Sequence, residues 1–141
     1  MNGTYLLDVN VLIALTNPSH VHHGRAHGWF GRVSSWATTP VTETAFVRLM
    51  TNSALAGRPV TREETVSVLR GLRAWPGHRF LPDDTSLADP VIDLVGLVGH
   101  RQVTDFHLVN LAASHHMVLA TFDRAIPEIL VPADQHWVEL V

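Results

Sequence analysis

The sequence predicts an α/β fold built on a central, mainly parallel sheet with helices on both faces. Three observations carry this expectation. Short apolar, strand-like runs alternate with segments of helical periodicity from one end of the chain to the other. Of the 141 residues, 46% are hydrophobic, enough to bury a core without crosslinks. No repeat, low-complexity tract or long linker interrupts the pattern, so residues 1–141 read as a single domain.

The elements follow in order. Tyr5 to Leu7 is a short apolar strand ending at Asp8. Val9 to Thr16 continues apolar as a helix and is stopped by Asn17 and Pro18. Gly24 to Val33 places Ala26, Trp29 and Phe30 at helical spacing. Ser35 to Thr38 is β-tolerant, and Thr39-Pro40 has the form of an N-cap followed by proline at the first helical position. Val41 to Ala54 then repeats apolar residues on one helical face. Thr61 with Glu64 resembles a capping box opening a helix through Trp75, where Pro76-Gly77 ends it. Arg79 to Leu81 reads as a strand and Pro82-Asp83-Asp84 as a turn. Asp89-Pro90 opens a further predicted helix, closed by Gly99. Thr104 caps a helix running to His116, Met117 to Thr121 is an apolar strand, and His136 to Val141 is a terminal one.

Composition removes several chemistries. The absence of cysteine excludes disulfides, thiolate metal sites and cysteine nucleophiles. All basic side chains are arginine or histidine, so Schiff-base and P-loop lysine mechanisms are excluded as well. The net charge of −3 offers no general footprint for a polyanion, which must be met by a local patch or through metal ions. The start of the chain lacks the basic leader of a signal peptide, and no run approaches a bilayer span. The expected setting is the cytoplasm.

Four acids stand apart from the solvated ones. Asp8 ends the first strand, Asp123 follows the strand at Thr121, Glu43 sits in the first turns of its helix, and Asp105 begins another. Strand-to-helix junctions of an open parallel sheet share one rim, where ligands bind. Taken singly, Asp105, Glu43 and Asp123 also suit plain helix or turn positions. Asp8 does not, because a buried unpaired acid inside an apolar run costs several kcal/mol. Carboxylates gathered this closely call for a hard divalent cation, Mg²⁺ or Mn²⁺, capable of activating water against a phosphodiester.

Ordered motifs then resemble those of a known family. Leu6-Leu7-Asp8-Val9-Asn10 resembles the opening motif of PIN domains, specifically of VapC-type toxins, and Thr39 to Glu43 resembles the second motif. Thr104-Asp105 and Leu119 to Asp123 resemble the third and fourth. The resemblance implies a three-layer α/β/α sandwich, an acidic Mg²⁺ site formed by Asp8, Glu43, Asp105 and Asp123, and endoribonuclease activity on RNA. It further implies homodimers and inhibition by a cognate VapB-type antitoxin. Threonine at 121 departs from the variant with two aspartates, which leaves Asp123 as the last acid and Thr121 as a supporting hydroxyl. Asn10 and Thr39 match motif positions from which they would orient Asp8 and Glu43 by hydrogen bonds.

Arg48 and Arg101 are the candidates for RNA phosphate contacts, weighed against plain surface arginines. The cluster His20, His22, His23 and His27 invites a zinc reading, but it lacks a completing acid or cysteine and reads as polar surface and capping. His115-His116 suits a helix C-terminus. Trp29, Phe30, Phe46 and Trp75 read as core or dimer interface, while Trp36 and Trp137 carry no assignment. Two rivals remain in view. A phosphotransfer domain would need the lysine this chain lacks, and a non-catalytic PIN-like module binding RNA or protein would not need all four acids.

Overall fold

In the computed structural model, residues 3–141 are described. Five strands form one wholly parallel sheet: β1 (Tyr5–Leu7), β2 (Trp36–Thr38), β3 (His78–Phe80), β4 (Val118–Thr121) and β5 (Val138–Leu140). Their order is β3-β2-β1-β4-β5. The chain therefore moves outward from β1 in one direction, returns, and continues on the other side. That reversal makes the gap between β1 and β4 the topological switch point, where a crevice opens beyond the carboxyl ends of the strands. Leu6 lies opposite Leu119, and the Asp8 amide donates to the Ala120 carbonyl at 2.9 Å, so β1 and β4 stay paired to the edge of that crevice.

Alternation along the strands divides the core between two layers. Tyr5, Leu7, Trp36 and Ala120 pack with α1 (Val9–Thr16), α2 (His23–Phe30) and Phe46 of α3 (Pro40–Met50). Val68, Leu69 and Leu72 of α5 (Arg62–Arg73) join this side. Leu6, Ala37 and Leu119 point the other way, onto α6 (Val103–Ser114) and Ile126 of α7 (Ala125–Ile129). The result is the expected three-layer sandwich. Trp29, Phe30, Phe46 and Trp36 are buried, whereas Trp75 is 59% exposed.

Some element boundaries differ from expectation for identifiable reasons. The helix expected from Val41 to Ala54 ends at Met50, after which Asn52 caps the single turn α4 (Ser53–Ala56) through the Ala54 amide. The helix expected from Asp89 to Gly99 does not form. Its backbone amides go to side chains instead: Val91 to Asn110 at 2.8 Å, Asp93 to Asp134 at 2.8 Å, and Val95 to Asp93 at 2.9 Å. Gly96 presses against the Ile129 carbonyl so closely that an added Cβ would sit 1.9 Å from its oxygen. Thr104 is not a cap. A 3₁₀ turn (His100–Gln102) leads into α6, and Gln102 accepts the Val98 and Gly99 amides. Likewise the terminal strand is shorter than expected, because Pro132–Trp137 form 3₁₀ turns.

Gly77, at φ +86°, turns the chain from α5 into β3, and a Cβ there would lie 2.2 Å from the Ser34 carbonyl oxygen. Gly77→Ala is expected to lower unfolding free energy by about 2 kcal/mol or more. Gly71→Ala, in α5 with open space around it, should raise it by roughly 0.5–1 kcal/mol. Urea unfolding midpoints of the two variants check the contrast.

Candidate functional site

The fold brings the acids to the rim by ordinary local means. Asp8 takes an extended conformation between β1 and α1, and its Oδ1 accepts the Val9 amide at 2.7 Å as the helix begins. Its Oδ2 accepts the hydroxyl of Thr121 at 2.8 Å. Asp8 is only 7% exposed, and burial raises its pKa above the ordinary carboxylate value despite those two bonds, with Asp123 adding repulsion. Asp105, in the first turn of α6, is pushed up to about 6, first by desolvation and then by Asp8 and Asp123. Asp123 is exposed at the start of the turn into α7, where its Oδ1 accepts the Ala125 amide at 2.9 Å.

Thr121 is the hub of this arrangement. Fully buried at the end of β4, its hydroxyl donates to Asp8 and accepts from Asn10 Nδ2 and from the Asp123 amide, both at 3.1 Å. One donor and two lone pairs are thereby all used. Asn10 closes the circuit by accepting the Phe122 amide at 3.1 Å. Asn10 thus reaches Asp8 through Thr121 rather than directly.

Glu43 has different company. Its Oε2 accepts the hydroxyl of Thr38 at 2.5 Å, and Arg73 approaches Oε1 at 3.5 Å. Thr38 also meets His78 Nε2 at 2.7 Å. Since the hydroxyl hydrogen is directed to Glu43, the imidazole must be the donor in that contact. Burial and the Arg73 charge both lower the His78 pKa, in keeping with a neutral ring. The hydroxyl that holds Glu43 is that of Thr38, not the expected Thr39. Thr39 Oγ1 is buried with no partner, because the following helix is capped by Thr42, which bonds the Thr39 amide and carbonyl. Thr38, Arg73 and His78 were not singled out from the sequence. They come from β2, α5 and β3, and only the parallel register that sets Thr38 opposite Phe80 reveals the grouping.

None of Asp8, Asp105 and Asp123 has an ion-pair partner among the described residues. Nor do three or more acidic or histidine side chains among the described residues converge into a ready-made metal cage. The donor chemistry nevertheless fits a hard divalent cation. Carboxylate oxygens are its preferred ligands, and Mg²⁺ retains several waters rather than demanding an all-protein shell. Asp8, Asp105 and Asp123 are the residues that would hold it, with Glu43 set apart by its arginine.

The remaining candidates fall outside the site. The side chains of Arg48 and Arg101 are exposed and form no hydrogen bond or ion pair among the described residues. His23 Nδ1 and His27 Nε2 donate to the Ala14 and Leu15 carbonyls at 2.8 and 2.9 Å, satisfying acceptors at the end of α1. His22 stacks on Phe122 with ring centroids 4.7 Å apart. His115 pairs with Asp84 at 2.7 Å. The histidine cluster is accordingly structural packing.

Comparison with known proteins adds independent findings. Residues 5–130 match the PIN domain family. Ribonuclease VapC38 of Mycobacterium tuberculosis is 46% identical over 123 residues, covering 86% of each chain. Ribonuclease VapC39 of the same species is 44% identical over 128 residues, covering 89% of this chain and 92% of that one. Among solved structures, VapBC2 from Rickettsia felis, bound to a DNA fragment from its promoter, aligns with a TM-score of 0.62. That alignment has 12% identity and covers 97% of this chain and 98% of the other, a likeness of fold.

Two outcomes follow from the geometry. Thr121→Val keeps the shape but orphans the groups around the hydroxyl, and should cost about 2–4 kcal/mol in chemical unfolding. The second concerns pH. Asp105 binds its proton more tightly folded than unfolded, with a pKa of about 6 against the ordinary 3.8. Its contribution to stability is complete below 3.8 and is lost as pH rises through 6. The metal-free protein should therefore melt at lower temperature at pH 7 than at pH 5, and Asp105→Asn should flatten that difference.

Proposed function

The chain belongs to the PIN domain family, among the VapC ribonucleases, and we propose that it is a divalent-metal-dependent endoribonuclease serving as the toxin of a VapBC-type pair. The observation that carries this reading is the trio Asp8, Asp105 and Asp123 at the switch-point rim, uncompensated by any basic side chain among the described residues. When bound there, Mg²⁺ or Mn²⁺ neutralises the carboxylates and supplies Lewis-acid activation of water and of the phosphodiester oxygens.

The chain's own residues prepare that chemistry. Thr121 and the Val9 amide fix both oxygens of Asp8, which removes rotational freedom before any ligand arrives. The raised pKa of Asp105 marks a place where further negative charge is poorly tolerated and a cation is favoured. Glu43, already held by Thr38 and balanced by Arg73, acts through water, accepting a hydrogen bond that orients the attacking molecule. No histidine, serine or lysine base is required.

Toxins of this group are paired with an antitoxin, and the expected partners are a VapB-type protein and a second copy of the chain. Val91, Val95 and Val98, at 61%, 71% and 84% exposure, give the loop before α6 an apolar surface suited to cover by protein. Among the described residues no helix is long and apolar enough to cross a membrane.

The test is cleavage of single-stranded RNA by purified protein freed of antitoxin. With Mg²⁺ or Mn²⁺ cleavage is expected; with excess chelator it should vanish, and Asp8→Asn should slow it by roughly 100-fold or more. Cleavage that survives both changes would refute the metal mechanism. Folded protein that binds RNA but leaves it uncut with either metal would favour a binding module.

A further inference from the structure

A cleft of about 1120 Å³ opens between α2, the turn after β4, and the outer edge of β5. Arg25, Arg32 and Arg124 all line it, three of the ten basic side chains other than histidine in a chain of net charge −3. Arg25 and Arg32 are seven residues apart, on the same side of a helix and the turn that extends it, with Gly28 lining the cleft between them. Arg124 approaches from the other wall. Its side chain is exposed and has no hydrogen-bond or ion-pair partner among the described residues.

Two acids, Glu128 and Glu139, share the cleft with the three arginines, so its side chains keep an excess of positive charge. Glu139 is spoken for by Trp29 Nε1 at 2.7 Å and the Tyr5 hydroxyl at 3.4 Å. Glu128 is exposed on α7 and forms no ion pair with any of the three arginines. Arg25 is held in place by the Val141 carbonyl at 3.1 and 3.2 Å and lies over the Phe122 ring. Arg32 donates to the Gly28 carbonyl at 3.0 Å, and none of the three arginines pairs with Glu128 or Glu139.

The location gives the cleft its meaning. Phe122 and Arg124, the two chain neighbours of Asp123, both line it. The cleft therefore begins where the acidic rim ends. We propose that it is a docking groove for the phosphate backbone of single-stranded RNA beside the cleavage site, with Arg32 and Arg124 as phosphate contacts and Arg25 as a fixed positive wall. This rests on the ribonuclease reading above and names the surface through which that site holds its substrate. Arginine forks suit phosphate oxygens, and their positive charge offsets the repulsion that a net-acidic protein would otherwise exert on RNA. Arg48 and Arg101, the arginines expected from the sequence to serve this role, do not line the cleft.

The experiment measures binding of a fluorescently labelled single-stranded RNA by anisotropy over a range of salt concentrations. It is made in an Asp105→Asn background so that the RNA stays intact with Mg²⁺ present. Arg32→Gln and Arg124→Gln should each weaken binding by roughly three- to tenfold. Each should also reduce the slope of log affinity against log salt by about 0.7, and the double variant by about twice that. Arg62→Gln, on the exposed face of α5 and paired only with Glu63, should leave both readouts unchanged. If the parent binds RNA and both arginine variants keep its slope, the groove assignment is overturned, even should the variants lose affinity for an acidic protein partner instead. If the protein with Asp105 intact neither binds nor cleaves RNA, the ribonuclease reading has failed at its root and the groove falls with it.

Discussion

The hydroxyl of Thr121 holds more of this molecule together than its size suggests. It donates to Asp8 and accepts from Asn10 and from the backbone of Asp123. Those bonds join the end of β1, the first turn of α1 and the turn leaving β4 across the switch point of the sheet. A hydroxyl with every hydrogen-bonding position filled is a rigid joint, and in a buried setting each of its bonds is expensive to lose. The carboxylate it fixes is one whose anionic form burial disfavours. The same contact therefore supports the fold and prepares the site.

Charge is distributed unevenly around the rim. On the β2–β3 side, Glu43 is balanced by Arg73 and bonded by Thr38. At the β1–β4 crevice, Asp8, Asp105 and Asp123 repel one another and no guanidinium comes within ion-pairing distance among the described residues. Beyond Asp123, Arg25, Arg32 and Arg124 line the neighbouring cleft together with Glu128 and Glu139. The three aspartates have no basic partner among the described residues, and the arginines lie beside them rather than against them. A net charge of −3 hides this separation completely.

Much of the architecture is legible in the sequence, because strand burial and helical periodicity are local properties. Asp8 stood out for the same reason: an acid in an apolar run has few innocent explanations. Thr121 was placed beside the acids only through its motif, and its partners became visible when β1 and β4 were paired. The company of Glu43 was illegible, since Thr38, Arg73 and His78 meet through register and crossover geometry rather than spacing. Thr39 matches the motif, but it is the N-cap of α3, and the hydroxyl that meets Glu43 belongs to Thr38 at the end of β2. The segment from Asp89 to Gly99 misled because its apolar residues fit several periods. Its amides were captured by side chains from elsewhere, which no local pattern records.

The central claim is that the three aspartates at the switch point form a site completed by a divalent cation. Carbon-detected NMR of the Asp105 side-chain carboxyl tests it most directly. Without metal it should titrate at about 6, and with saturating Mg²⁺ the midpoint should fall below the ordinary carboxylate value of 3.8. A midpoint that stays near its metal-free value while Mg²⁺ is raised to saturation would contradict the account.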